Sequence, residues 1–262
     1  MRRTLGDRTY LLIQDKVLPE RPDLLLFFHG SMQSGNVIRR FTAGTFDAAC
    51  PLVAYPFGVH QHFNDARLVL PVKARELGVD DVAFTRDLVA SLRQEFGVGR
   101  VFAAGFSNGG QMVMRLLFDT PGLLDGAAVF ASALGAGSNH APTNPDSAYK
   151  PTPVLFIHGT ADPLAPYAGG SSQARGDMLG AVANAERFAQ LNGAGPASTR
   201  CPYPDVTVTR WGGAHPVELW SVDGMGHVVP SGNQLDPRLG RNTSSFLAAE
   251  VVRGFFGERS DA

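Results

Sequence analysis

Apolar residues cluster along the chain in two alternating patterns, short unbroken runs and longer stretches of helical period. Leu24-Leu25-Leu26-Phe27-Phe28 is apolar throughout, which predicts a strand buried on both faces. Leu52-Val53-Ala54-Tyr55, stopped by Pro56, reads the same way, and residues 100–104, 127–131, 154–157 and 217–222 supply the later strands. Arg8-Thr9-Tyr10-Leu11-Leu12-Ile13 reads as an edge strand. Between these runs, Phe84, Leu88, Leu92 and Phe96 recur every four residues and predict a helix over 81–96, with Asp80 or Asp81 as its cap and Gly97 and Gly99 at its end. Residues 111–118 open another helix. Phe246, Leu247, Val251, Val252, Phe255 and Phe256 form the apolar face of a closing one, with Asn242 or Thr243 as its cap. Strands alternating with helices predict an α/β fold: a mostly parallel central sheet with helices on both faces and no large separate cap domain. Residues 1–262 are read as one domain of this kind.

Two stretches, 132–152 and 192–206, are rich in Gly, Pro, Asn and Ser and break the alternation. Loops of this length in a compact domain tend to be functional, so both are expected near the substrate cleft. Composition narrows the function classes. The net charge is -1, from 23 Lys+Arg against 24 Asp+Glu, with no basic stripe or acidic tail, so neither nucleic acid nor an anionic membrane is expected as a partner. No apolar run approaches the ~20 residues of a membrane helix. Two arginines at the N-terminus have no apolar run behind them, so the sequence as written reads as cytoplasmic, or as secreted if a leader has been removed. Cys50 and Cys201 could pair or stay reduced, and nothing in the pattern sets an oligomeric state.

The strongest chemical signal is Gly105-Phe106-Ser107-Asn108-Gly109, a G-x-S-x-G match between a strand and a helix. A serine on such a sharp turn needs small flanking residues so that the backbone can fold back and expose the hydroxyl, and the new helix aims its amides at developing negative charge. In strand–turn–helix context this resembles the nucleophile turn of α/β-hydrolases, in which an acid and then a histidine follow the serine. Asp162, just beyond the 154–157 strand, is the acid; Asp177 has helical neighbours, Asp205 lies in a proline-broken loop and Asp223 precedes the histidine too closely. His227, in the glycine-rich loop after the last strand, is the base; His215 lies before that strand. For the oxyanion hole, the backbone N–H of Asn108 is one donor. The second comes from His29-Gly30-Ser31-Met32-Gln33-Ser34-Gly35, with Ser31 first and Met32 second, and His29 bracing that loop. Met32, Phe57 and Val228 are candidate cleft residues, and Phe57, His60, His62 and Phe63 could either line an aromatic cleft or pack within their loop.

Taken together, these segments resemble the esterase family of feruloyl esterases, acetyl xylan esterases and poly(3-hydroxybutyrate) depolymerases. The likeness runs from Arg8-Thr9-Tyr10-Leu11-Leu12 through Phe28-His29-Gly30-Ser31-Met32-Gln33-Ser34 and Val79-Asp80-Asp81-Val82-Ala83-Phe84. Its more specific parts are Ser107-Asn108-Gly109-Gly110-Gln111-Met112 and His158-Gly159-Thr160-Ala161-Asp162-Pro163-Leu164-Ala165-Pro166-Tyr167. The resemblance implies a Ser107, Asp162, His227 triad, small-molecule or oligomeric ester substrates, and neither a metal nor an organic cofactor. The chain departs from it at Val228-Val229-Pro230, where relatives often carry tryptophan, and at Ala194, where many carry a cysteine. A peptidase, thioesterase or lactonase would use the same triad, and a non-catalytic ligand-binding homologue would keep the fold alone.

Overall fold

The computed structural model describes residues 1–257. In chain order its first half runs β1 (Arg2–Leu5), β2 (Arg8–Gln14), β3 (Leu24–Phe28), α1 (Gly35–Phe41), β4 (Leu52–Pro56), α2 (Lys73–Glu76), α3 (Asp81–Phe96), β5 (Val101–Phe106), α4 (Asn108–Asp119) and β6 (Gly126–Phe130). The second half adds β7 (Val154–Gly159), β8 (Gly170–Ser172), β9 (Gly176–Met178), α5 (Ala181–Leu191), β10 (Ala197–Tyr203), β11 (Val206–Trp211), β12 (Val217–Val222) and α6 (Ala248–Gly257). Ten strands form one sheet in the order β1-β2-β4-β3-β5-β6-β7-β12-β11-β10, and β8 and β9 form a separate small hairpin. The centre, from β4 through β12, is parallel; both flanks are antiparallel.

Alternate residues of each central strand feed opposite cores, as the two-residue period requires. Leu24, Leu26 and Phe28 pack with side chains of α3, α4 and α5. Leu25 and Phe27 pack with Ile38 of α1, Phe46 and the α6 residues Val252, Phe255 and Phe256. Helices therefore cover both faces, and an unbroken apolar run is what a strand between two cores needs. The α3 helix occupies the predicted residues. Asp80 is its cap, its carboxylate accepting from the Ala83 amide at 2.8 Å. Asp81 turns inward to meet Arg8 at 2.6 Å, and Gly97 ends the helix at φ +66°.

Several expectations need correction. β2 is not the edge: β1 pairs outside it, and the apolar pattern of β1 was too short to register. Residues 192–206 are mostly not a loop, because β10 extends the sheet as its outer strand. Every β10 side chain is exposed, so it shows neither the alternation nor the apolar run that marks a strand. Asp177 lies in β9 rather than among helical residues. The closing helix starts at Ala248, so Phe246 and Leu247 precede it, and Asn242 and Thr243 do not cap it. The Thr243 and Ser245 hydroxyls instead donate to Asp205 in the β10–β11 turn. Cys50 is buried and Cys201 exposed, and both are free thiols. No described helix is long and apolar enough to cross a membrane.

Candidate active site

Ser107 sits between β5 and α4 with φ 54° and ψ -117°, a backbone conformation that non-glycine residues rarely adopt. Its N–H donates to the Phe130 carbonyl and its own carbonyl accepts from the Gln111 amide, both at 3.0 Å, so neighbours on each side hold the turn. Gly105 and Gly109 make the turn possible. A Cβ on Gly105 would overlap the Gly109 backbone, and one on Gly109 would overlap the carbonyls of Phe28 and His29. Strand and helix approach more closely than any side chain would permit.

The acid and the base arrive on the loops after β7 and β12, which pair in parallel and so end side by side. His227 Nδ1 lies 2.8 Å from Asp162 Oδ2. Asp162 Oδ1 accepts the amides of Leu164 and Ala165 at 2.8 and 2.7 Å. Burial pushes this carboxyl up, but the hydrogen bond and charge of His227, with the Ala165 amide and His158, hold it below the ordinary carboxylate range. The His227 N–H donates to the Leu239 carbonyl, and its ring packs against Phe106 at 4.9 Å between centroids. His158 Nε2 is 2.7 Å from the Ala165 carbonyl and 3.7 Å from Asp162 Oδ2. Burial lowers the His158 pKa, so its neutral ring pins the loop that carries Asp162.

Ser31, Met32, Ser107, Asn108 and His227 line one cavity of about 560 Å³, with Asp162 buried behind His227. The Met32 amide is engaged, donating to the Gln61 carbonyl at 3.0 Å. Among the described residues no protein acceptor takes the amide of Ser31 or of Asn108. The Asn108 side chain is itself locked, bonding both ways with the Phe63 backbone and reaching Asp65 at 2.7 Å. Asp65 is wholly buried; burial raises its pKa, and the guanidiniums of Arg67 and Arg75 bring it below the ordinary value. This network fixes the start of α4 against the 63–67 segment.

Not every candidate reaches the cavity. Phe57 packs beside Gly35 and under the Arg2 guanidinium, and Val228 is fully buried in the core with Met225 and Val229. Neither lines the cleft, nor do His60, His62, Phe63 or residues 192–206. Phe63 instead stacks edge-on against Phe28. Ser132 and Ala133 of the other irregular stretch do line it. Sequence reasoning missed Arg67, Gln111, His158 and the β8–β9 hairpin that carries Arg175. The hairpin strands have three residues each and no apolar alternation; the Gly169-Gly170 pair and Gly176, all at positive φ, were the available signal.

His29 is wholly buried and ties the start of the 29–35 loop to Gly58. Its Nε2 accepts from the Gly58 amide at 2.9 Å, which places the proton on Nδ1, 2.7 Å from the Gly30 carbonyl. Burial is the main reason its pKa falls to about 4. The unfolded chain therefore takes up this proton first, near pH 6.5, and the contribution of neutral His29 to stability is lost as pH falls toward 4. At about 1.4 kcal/mol per unit this amounts to about 3 kcal/mol between pH 7 and pH 4. Thermal melts across that range should show His29→Gln with a shallower acid slope than wild type; equal slopes would refute the assignment.

Comparison with known proteins agrees with this architecture. A phospholipase/carboxylesterase family model matches residues 83–200, which include most of α3, the Ser107 turn and Asp162. The acetyl xylan esterase of Aspergillus awamori superposes with a TM-score of 0.68 at 17% identity, covering 96% of this chain and 94% of that one. The chain has the α/β-hydrolase fold. Esterase 2 of Thermogutta terrifontis, solved phosphorylated by paraoxon, shares the fold at TM-score 0.56 and 16% identity, over 96% of this chain and 87% of that one. A curated protein of Nocardia uniformis subsp. tsuyamanensis, "Putative esterase NocK", is 34% identical over 174 residues, or 64% of this α/β-hydrolase. Those residues are 48% of NocK, so the chain spans about half the length of that relative.

Proposed function

We propose that this α/β-hydrolase cleaves carboxylic esters through Ser107, His227 and Asp162. The observation that carries the reading is the 2.8 Å contact of His227 Nδ1 with Asp162 Oδ2, beside a cavity that also holds Ser107 on its strained turn. His227 Nε2 takes the hydroxyl proton as Ser107 Oγ attacks the ester carbonyl. Asp162 keeps the other proton on Nδ1 and stabilises the imidazolium. The oxyanion is received by the amides of Asn108 and Ser31, each such donor being worth ~3 kcal/mol. The carbon–oxygen bond to the alcohol then breaks as His227 returns the proton to the leaving oxygen. Water, deprotonated by His227, attacks the acyl-serine, releases the acid and restores the Ser107 hydroxyl.

Within this chemistry, feruloyl and short 3-hydroxybutyrate esters are the substrate classes to which the sequence resemblance points. A soluble or oligomeric ester is favoured over a solid polymer, because the lining residues form a pocket around Ser107 rather than an extended flat face. A fluorophosphonate probe should attach one equivalent to Ser107 by mass spectrometry, and the labelled protein should lose hydrolysis of p-nitrophenyl esters, methyl ferulate and 3-hydroxybutyrate oligomers together. Folded protein that takes no label and turns over none of these esters would end the proposal and leave a ligand-binding homologue.

A further inference from the structure

We propose that Arg175 forms an anion subsite in the cavity of Ser107, so that the preferred ester carries a carboxylate away from the bond that is cut; this rests on the reading of the cavity as an esterase site. Arg175 lies at the turn of the β8–β9 hairpin and lines the cavity. Its half-buried side chain makes no hydrogen bond, ion pair or ring contact among the described residues. Its backbone is held in place. Asn139 Nδ2 donates to the carbonyls of Arg175 and Asp177 at 2.7 and 2.9 Å, and Gly176 at φ +66° passes tightly against that same side chain.

The charge around it is unbalanced in one direction. Arg67 also lines the cavity, with Nε and Nη2 both committed to Asp65, and Arg75 adds a second guanidinium to that same carboxylate. Arg67 and Arg75 thus share one acid, and Arg175 has no ion pair among the described residues. Asp162, the carboxylate felt at Arg175, is bonded to His227 and the Leu164 and Ala165 amides. Partial burial and the charge of Arg67 lower the Arg175 pKa, as expected for a cation that lacks a counter-ion. A guanidinium offers two parallel N–H donors, which a planar carboxylate accepts in full.

The test compares matched esters with and without the charge. On the acyl side these are p-nitrophenyl hemiglutarate and p-nitrophenyl valerate; on the alcohol side, 4-acetoxybenzoate and 4-methylphenyl acetate. Comparing kcat/KM ratios between protein variants cancels the intrinsic reactivity of each ester. In at least one pair the charged-to-neutral ratio should fall roughly tenfold or more in Arg175→Gln, through KM rather than kcat, with Arg175→Lys retaining part of it. A ratio that moves less than threefold in both pairs overturns the subsite. Calorimetric binding of glutarate to wild type and Arg175→Gln provides a readout independent of turnover. Glutarate binding lost in the variant supports the subsite even if no ester is hydrolysed. Ester turnover with glutarate binding equal in both proteins rejects the subsite and leaves the esterase reading standing.

Discussion

Replacing Ser107 by alanine or by glycine is expected to lower kcat on a p-nitrophenyl ester by roughly 10⁶-fold, while the glycine variant melts higher than the alanine variant. On the proposed mechanism the loss of turnover follows from removing the atom that forms the acyl-enzyme, and the proposed oxyanion amides alone leave a small residual rate over water. The stability difference follows from the backbone. At φ 54° and ψ -117° any side chain at position 107 is strained, by about 1–3 kcal/mol, and alanine keeps that strain because it keeps the Cβ. Glycine removes it and gives back roughly 0.5–1 kcal/mol through the greater freedom of its unfolded chain. A net gain of about 1 kcal/mol corresponds to a Tm difference of roughly 2–4 °C. Calorimetric melts and steady-state kinetics on both variants check the two halves separately. A glycine variant that melts no higher than alanine shows an unstrained turn, and an alanine variant with wild-type turnover removes Ser107 from the mechanism.

Asp162→Asn should cost about 10⁴-fold in kcat with little change in fold. The two carboxylate oxygens have different duties: Oδ1 accepts two backbone amides, and Oδ2 faces His227 Nδ1. An asparagine has one carbonyl oxygen, and the Leu164 and Ala165 amides will hold it at the Oδ1 position. Its NH₂ group then faces Nδ1, which must become an acceptor, so the imidazole proton moves to Nε2. That tautomer cannot receive the Ser107 proton. The distinguishing measurement is the pair Asp162→Asn and Asp162→Ala. If the tautomer is what matters, the asparagine variant is no faster than alanine despite its closer shape; an asparagine variant within tenfold of wild type would refute the role assigned to Asp162.

The two experiments rest on parts of the molecule that were unequally legible in the sequence. Ser107, Asp162 and His227 could be named as candidates from residue order and local context, because a nucleophile turn demands glycines at fixed spacing and its partners must follow sheet strands. The α3 helix was equally plain, since Phe84, Leu88 and Leu92 repeat at the helical period and Asp80 and Gly97 mark its ends. β10 was not, because a strand that buries none of its side chains carries no hydrophobic pattern. Phe57 and Val228 were misplaced for a related reason: nearness in sequence to the oxyanion loop or to His227 does not say whether a side chain turns toward the cavity or the core.

The α/β alternation, the buried central strands and three candidate residues for acyl transfer could be read from the sequence, because each depends on local period, turn chemistry or chain order. What separates Ser31 from Met32 as proposed donors is a tertiary contact: the Met32 amide is taken by the carbonyl of Gln61, a residue 29 positions away. The tertiary structure alone placed Asp162 against His227 and brought Arg175 and Arg67 into the cavity of Ser107. These are contacts between segments far apart in the chain. They depend on how the sheet and its loops close in space, and such closure leaves no periodic trace in the residues that make it.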